Sequence, residues 1–198
     1  MSVHDSATVE STRRRLNRKQ AETVDRLTAA AMDLLRREGF DNLTMRMVAT
    51  AAGVGTATAY TYFSSKDHLV AEVMWRHLRQ TEPPSYTEDQ NTAARAITAL
   101  RRITFLLGDQ PEMAKAVTSA LLGTDPDVAH LRFRIGLEIR RWIDDALGAD
   151  SDPDTVEALE LLYSGALLRA GMGYASYTET ADLIQKTAIL LLRSTDRP

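Results

Sequence analysis

The sequence predicts an all-α protein in which a small N-terminal helical head sits on a larger helical body. Apolar residues recur mostly at three- and four-residue spacing, and no stretch of the 198 residues alternates convincingly as a strand would. With 44% hydrophobic and 26% charged residues, the composition is that of a globular chain with one or two domains. The segment Thr81-Glu82-Pro83-Pro84-Ser85 is the clearest linker, because paired prolines break a helix.

Four helices are predicted before the linker. Those at residues 18–38, 44–52 and 56–63 form the head, and the fourth, at residues 66–80, begins the body. Gly39 follows the first helix in a C-cap position, and Thr44 is the expected N-cap of the second. Gly53 makes the turn to the third helix, and Ser65 caps the fourth. Beyond the linker, five longer helices are expected at residues 89–108, 111–122, 126–148, 154–176 and 179–194.

Several classes of protein are disfavoured by what the chain lacks. It has zero cysteines, which excludes disulfides, thiolate metal sites and a cysteine nucleophile. The four histidines, His4, His68, His77 and His130, show no metal-binding spacing, and there is no phosphate-binding glycine loop or nucleophile elbow. We therefore expect no metal, no cofactor and no catalysis. The polar N-terminus and the lack of a long apolar run favour a soluble, cytoplasmic protein.

Charge is distributed unevenly along the chain. Residues 1–80 carry 12 Lys+Arg and 9 Asp+Glu, whereas residues 81–198 carry 12 and 18, so the front is basic and the back acidic. The front is therefore the part expected to meet a polyanion. Its Arg13-Arg14-Arg15 cluster belongs to a flexible basic arm over residues 1–17, which is either a solvated tail or an arm that reaches phosphate or the minor groove.

The two short helices of the head match a helix-turn-helix unit, whose second helix enters the major groove of DNA. Gly53 allows the positive φ that such a tight turn needs. Small residues at the start of the second short helix, Gly55, Thr56 and Ala57, let its backbone approach base edges and phosphates. We interpret residues 18–65 as a DNA-binding domain.

Side chains around this unit supply the expected DNA contacts. Tyr60 and Tyr62 lie two apart on a helix and cannot both face inward, so we favour hydroxyl contacts to phosphate over core packing for this pair. Phe63 is expected in the core. Lys66 adds a positive charge at the same rim, and the Arg46 guanidinium matches the O6 and N7 acceptors of guanine.

Residues 43–69, LTMRMVATAAGVGTATAYTYFSSKDHL, resemble the DNA-binding signature of the TetR family of transcriptional regulators. The resemblance implies a homodimeric regulator, usually a repressor, that binds a palindromic operator in double-stranded DNA. Matched by position, Thr44, Tyr60, Tyr62 and Lys66 fall on phosphate-contacting positions of the family. Base-facing positions fall on Arg46, Thr56, Ala57 and Thr61. The chain departs from the pattern at Gly55, where serine is usual, and at Ala57, where glycine is common.

The resemblance also implies how the body, residues 66–198, would work. It would hold a small-molecule effector whose binding moves the fourth helix and releases DNA, and its last two helices would form a four-helix dimer bundle. A weaker similarity, carried by residues 45–49 and 109–113, points to the actinobacterial lipid- and steroid-responsive (KstR-like) branch. The effectors implied by that branch are acyl-CoA thioesters.

Large apolar residues on four helices of the body are candidates for the effector site, either as cavity lining or as closed core. Methionine and long aliphatic side chains suit an irregular, elongated apolar ligand rather than a sugar or nucleotide. The candidates are Phe105, Leu106, Leu107, Met113, Val117, Leu121, Leu131, Ile135, Ile139, Trp142, Leu167 and Met172.

Residues 156–176 read as a helix that is apolar nearly all round and therefore buried on more than one side. Paired with Ile184, Ala188 and Leu191 of the last helix, it is expected to form a symmetric dimer interface, the alternative being a monomer core. One rival function stays open, a helical DNA-binding architectural or interaction protein without a small ligand; a small enzyme is disfavoured by the missing catalytic motifs.

Overall fold

The computed structural model describes residues 17–87, 89–106 and 110–195, and these residues form nine α-helices and no strand. The all-α prediction is confirmed. The basic arm lies outside the described residues except for Asn17, which caps the first helix. The helices are α1 Arg18–Asn42, α2 Met45–Ala51, α3 Thr56–Tyr62, α4 Lys66–Gln80, α5 Thr92–Thr104, α6 Pro111–Leu121, α7 Pro126–Leu147, α8 Pro153–Gly171 and α9 Tyr177–Thr195.

The head consists of α1, α2 and α3, and α4 joins it to the body. Helix α1 buries Val24, Leu27 and Leu35 completely, at the spacing that puts them on one face. It packs against α2 and α4, and α2 packs against α3. Helix α4 also packs on α6 and α7 and is buried along most of its length. Helix α1 also packs directly on α6, so the head meets the body through both α1 and α4.

The body is a bundle of α5 to α9, on which α4 packs through α6 and α7. Helix α5 packs against α7 and α9, and α8 packs against α9 and α7. One hydrophobic cluster runs from Val24 in the head to Leu192 in the last helix, without a break between the two parts. Of the helices in the described ranges, none combines the length and the apolar character that crossing a membrane requires.

Three helix ends differ from the sequence-based expectation because a capping group or a glycine sets the boundary. Helix α5 begins at Thr92 rather than at residue 89, because the Asn91 side chain accepts a 2.8 Å hydrogen bond from the Ala94 amide. Helix α8 ends at Gly171 instead of residue 176, since Gly173 adopts φ +80° and reverses the chain. A capping box between Ser176 and Glu179 then starts α9 two residues early.

Candidate functional site: a helix-turn-helix face and an apolar cavity

The turn between α2 and α3 is closed by backbone hydrogen bonds around Gly53. Gly53 adopts φ +65°, and its amide donates to the Thr50 carbonyl at 3.1 Å. The next amide, of Val54, donates to the Ala49 carbonyl at 2.9 Å, which completes a Schellman motif. The Arg26 guanidinium of α1 donates to the Ala52 carbonyl at 3.2 Å. The angle at which α3 leaves α2 is therefore held by both local and long-range contacts.

The predicted DNA-contacting residues lie on or near the surface of this unit, while its inner face is closed. Val48, Ala49, Ala59 and Phe63 are buried. Tyr60 is 51% exposed, so its ring and hydroxyl face outward as expected. The other exposed positions are Thr44, Arg46, Gly55, Ala57 and Thr61, and the half-buried ones are Thr56, Tyr62 and Lys66.

The two helix starts on this face are capped differently. The Thr44 hydroxyl accepts a 3.2 Å hydrogen bond from the Met47 amide at the start of α2. Gly55 precedes α3 and has no side chain with which to cap it. The first amides of α3 therefore keep their donors for water or for a phosphate oxygen. This is the structural consequence of the departure from serine seen in the sequence.

Lys66 is already engaged within the chain. Its ammonium donates a 3.0 Å hydrogen bond to the Phe40 carbonyl and lies 4.3 Å from the centre of the Phe40 ring. A cation at this carbonyl, near the end of α1, ties the start of α4 to the first helix. An ammonium has three donor hydrogens, so the same group is able to meet a phosphate without leaving Phe40.

A cluster of polar groups joins the start of α4 to the start of α7. The Ser65 hydroxyl donates to Asp125 Oδ2 at 2.6 Å, and the Ser64 hydroxyl donates to the same oxygen at 2.8 Å. The other carboxylate oxygen accepts the Asp127 amide at 2.9 Å and thereby caps α7. Partial burial opposes ionisation, but these hydrogen bonds outweigh it and lower the pKa of the Asp125 carboxyl.

The turn between α6 and α7 is held against α4. From α7, Arg132 donates to the Leu121 carbonyl at 2.5 Å and to the Gly123 carbonyl at 2.6 Å. A Cβ atom on Gly123 would lie only 3.2 Å from Asp67 Oδ2, so this glycine allows the turn to approach the first turn of α4 closely. The end of α6, the start of α7 and the start of α4 consequently form one connected junction.

An apolar cavity of about 480 Å³ lies in the body, lined by residues of α4 to α9. That volume is in the range of sites for small organic ligands. Six of the residues proposed from the sequence line it: Leu106, Val117, Leu121, Ile135, Ile139 and Leu167. Five further apolar residues that also line the cavity were not predicted from the sequence: Met74, Ile103, Ala114, Leu122 and Leu168.

Five other proposed residues lie away from the cavity. Leu131 and Trp142 are fully buried in closed core, while Met113 packs toward α1 and α4 beside a separate small space. Phe105 is on the surface, with the Arg101 guanidinium 5.4 Å from its ring centre, and Met172 is 61% exposed beyond the end of α8. Leu107 lies outside the described residues.

The polar residues that line the cavity were not predicted from the sequence. It consists of Thr104, Thr118, Arg132, Tyr163, Ser164 and Tyr177. Arg132 is the one charged side chain among the described lining residues. Burial, together with the neighbouring Tyr177, raises the pKa of the Tyr163 hydroxyl. Tyr163 could have been flagged, since it is a hydroxyl-bearing residue within the most apolar helix of the chain.

The outer faces of α8 and α9 expose apolar side chains. Leu161 of α8 is 74% exposed, and Leu190 of α9 is 66% exposed. The interface residues named from the sequence are placed differently: Ile184 and Ala188 are completely buried in their own chain, where α9 packs on α5 and α8. The expectation that these two residues face a second copy is corrected, because the rotation of α9 about its axis points both side chains into the core of their own chain.

Comparison with known proteins agrees with the geometry of the head. The family described as "Bacterial regulatory proteins, tetR family" matches residues 27–73, which span most of α1 through α4. An uncharacterized HTH-type transcriptional regulator of Mycobacterium tuberculosis is 44% identical over 92% of this chain and 86% of its own length. The HTH-type transcriptional repressor KstR of Rhodococcus jostii is 27% identical over 87% of this chain and 84% of its own length.

Solved structures share the fold. A TetR transcriptional regulator from Rhodococcus sp. RHA1 superposes with a TM-score of 0.71 at 24% identity, covering 87% of this chain and 99% of its own. Thermus thermophilus FadR in complex with lauroyl-CoA gives a TM-score of 0.59 at 17% identity, covering 84% and 93%. BioQ with its double-stranded DNA operator gives a TM-score of 0.59 at 20% identity, and the match covers 86% of this chain and 96% of the BioQ chain.

Proposed function

This chain belongs to the TetR family of DNA-binding transcriptional regulators, and we propose that it is a homodimeric repressor that a small hydrophobic effector releases from its operator. In this proposal residues 18–65 bind DNA, and residues 66–198 bind the effector and form the dimer. The observation that carries it is the 480 Å³ apolar cavity, because a regulator controlled by a ligand needs a place to hold one.

The DNA contacts are proposed at the exposed face of α2 and α3. Arg46 reads a guanine in the major groove, helped by Thr56, Ala57 and Thr61, whose small size lets α3 approach the bases. The remaining contacts reach phosphates and set the position of the helix on the duplex; they come from Thr44, Gly55, Tyr60, Tyr62 and Lys66. Two copies of the head, related by a two-fold axis, would read a palindromic operator.

The dimer is proposed to form through the outer faces of α8 and α9. Leu161, Leu183 and Leu190 are exposed there, and large apolar side chains on neighbouring helices favour burial against a second copy. A symmetric interface repeats the same face on both chains, so two helices from each would make a four-helix bundle. Regulators of this family bind DNA and dimerise.

The effector is proposed to be an elongated apolar molecule, with acyl-CoA thioesters as the first class to test. The aliphatic lining of the cavity supports this, and so does the similarity to KstR and to FadR, which was solved with lauroyl-CoA. The junction that joins α6, α7 and α4 provides a route by which a change at Leu121 or Leu122 in the lining reaches the head.

The experiment is an operator titration with the DNA upstream of the protein's own gene. Fluorescence anisotropy of labelled duplex is measured across a salt series, first without ligand and then with acyl-CoAs of increasing chain length. Specific binding that one thioester weakens supports the proposal. Specific binding that no thioester, steroid or drug-like ligand disturbs would favour the alternative, a DNA-binding architectural protein without an effector.

A further inference from the structure

Tyr163 places a hydroxyl group in the apolar cavity without a partner. The residue is 4% exposed and lines the cavity from α8. Its hydroxyl makes no hydrogen bond with any residue in the described part of the chain, and yet, unlike the Tyr86 hydroxyl, it is not sealed in by protein atoms. Since so little of Tyr163 reaches outside solvent, the cavity is where its hydroxyl meets a partner.

A ligand that fills the cavity removes this hydroxyl from water, which is costly unless the ligand offers it a hydrogen bond. Moving a hydroxyl from water into an apolar environment is unfavourable unless a hydrogen bond replaces the one it loses. The neighbouring Tyr177 lines the same cavity and makes no hydrogen bond to Tyr163 within the described residues. A ligand oxygen placed at Tyr163 would satisfy the hydroxyl, whereas a pure hydrocarbon would leave it unsatisfied.

The lining also limits the charge of that ligand oxygen. The one charged side chain in the described lining, Arg132, is exposed and already donates to the carbonyls of Leu121 and Gly123. An anionic oxygen at Tyr163 would therefore be buried with no cation devoted to it. A carbonyl oxygen is neutral and brings no donor hydrogen that would need a second partner.

We propose that the Tyr163 hydroxyl donates a hydrogen bond to a carbonyl oxygen of the effector, so that the site selects acyl or oxo compounds over hydrocarbons of the same shape. This inference rests on the proposed function, in that the cavity holds the effector. Two sources supply the same chemistry: the thioester carbonyl of an acyl-CoA and the ring ketone of a steroid.

The test compares matched ligands that differ only at the carbonyl. The first pair is lauroyl-CoA and S-dodecyl-CoA, and the second is a 3-ketosteroid and the same steroid without the 3-oxygen. Affinities are measured by isothermal titration calorimetry for the unmodified protein, for Tyr163→Phe and for Tyr174→Phe. Tyr174 is 71% exposed and does not line the cavity, so Tyr174→Phe removes the same hydroxyl group from a position that does not contact the ligand.

The unmodified protein and Tyr174→Phe are expected to prefer the carbonyl member of one pair by about 3- to 10-fold, the range of a single net hydrogen bond. The Tyr163→Phe variant should lose that preference and bind the carbonyl-free member as before. Which pair shows the effect identifies the source. Operator binding of Tyr163→Phe without ligand reports that the variant is folded.

Two results would overturn the inference while sparing the proposed function. One is a carbonyl preference that survives in Tyr163→Phe, and the other is an equal loss of affinity for both members of a pair, which would mean that Tyr163 only shapes the cavity. If the unmodified protein binds neither pair, the proposed effector class fails, and this inference fails with it.

Discussion

The Ser65 hydroxyl donates a 2.6 Å hydrogen bond to Asp125 Oδ2, and each of these residues is the N-cap of a helix, α4 and α7 respectively. The pair lies sixty residues apart in the chain. Because α4 follows directly on α3, this contact connects the turn between α6 and α7 to the helix-turn-helix unit. The same turn carries Leu121 and Leu122, which line the cavity.

Replacing Asp125 by Asn should weaken this junction. An amide has one acceptor oxygen where the carboxylate has two, so it cannot both cap α7 and accept from the two serines. We expect a loss of about 1 kcal/mol in the free energy of unfolding by urea, together with a smaller effect of effector on operator affinity. Asp152→Asn is the matched control, since Asp152 caps α8 far from the head. Equal effects of the two variants would argue against a coupling role.

The same junction should also weaken in acid. The pKa of Asp125 is lower in the folded protein than the ordinary value of about 3.9. Its contribution is therefore present above that ordinary value and lost as the pH falls through the folded-state pKa. Urea unfolding measured from pH 7 to pH 3 should show a smaller acid loss of stability in Asp125→Asn than in the unmodified protein; equal losses would argue against this role of Asp125.

Arg46→Ala should change which operator is read. Arg46 is exposed at the start of α2, and losing a bidentate guanine contact costs roughly 1–3 kcal/mol of discrimination at one base pair. The measurement is anisotropy against a set of operators with single base-pair changes. An affinity loss of the same size on every duplex, including non-specific DNA, would show that Arg46 contacts phosphate instead.

Lys66→Ala should weaken binding to all DNA and lower the salt slope by about one charge. The variant also loses the hydrogen bond to Phe40, so its unfolding is measured in parallel to separate the two effects. Lys115→Ala removes an equal charge from an exposed position on α6 and should leave the slope unchanged. A Lys66→Ala variant that keeps the slope but loses stability would assign this lysine to the head's packing alone.

Gly53→Ala should destabilise the head by about 1 kcal/mol or more. There is room for the methyl group, since the nearest atom to an added Cβ is Arg26 Nη1 at 3.9 Å, but φ +65° disfavours any L side chain. Gly136→Ala is the comparison, because Gly136 lies within α7 with open space around it. Its free energy of unfolding should be unchanged or higher. Urea titration checks both; a neutral Gly53→Ala would mean that the turn relaxes without cost.

Leu161→Asp should abolish the dimer while leaving the helices intact. Leu161 is 74% exposed on α8, so a carboxylate is tolerated in the monomer but not in a dry interface. Light scattering gives the mass and circular dichroism the helix content. Ala57→Asp, on the exposed face of α3, should instead stay dimeric and lose operator binding. If Leu161→Asp keeps the mass of the unmodified protein, the interface lies on another face.

Local signals in the sequence were enough for the helices and for the DNA-contacting unit. Thr44 and Ser65 cap the helices that they were expected to cap, and Gly53 has the positive φ that its turn requires. These features depend on interactions between residues only a few positions apart, so they can be predicted from the local sequence. Tyr60 is 51% exposed, and Phe63, the extended C-cap residue of α3, is buried, as expected.

The cavity and the junction depended on tertiary structure. Leu131 and Ile135 lie one turn apart on α7, and the sequence treats them alike, yet only Ile135 lines the cavity. The difference arises from how α7 is rotated against its neighbours, which is a property of long-range packing. By itself, then, the sequence determined the family, the all-α fold and the exposed face of the helix-turn-helix unit. Only the packing of distant helices decided where the cavity lies, that Tyr163 borders it, and that Ser65 meets Asp125.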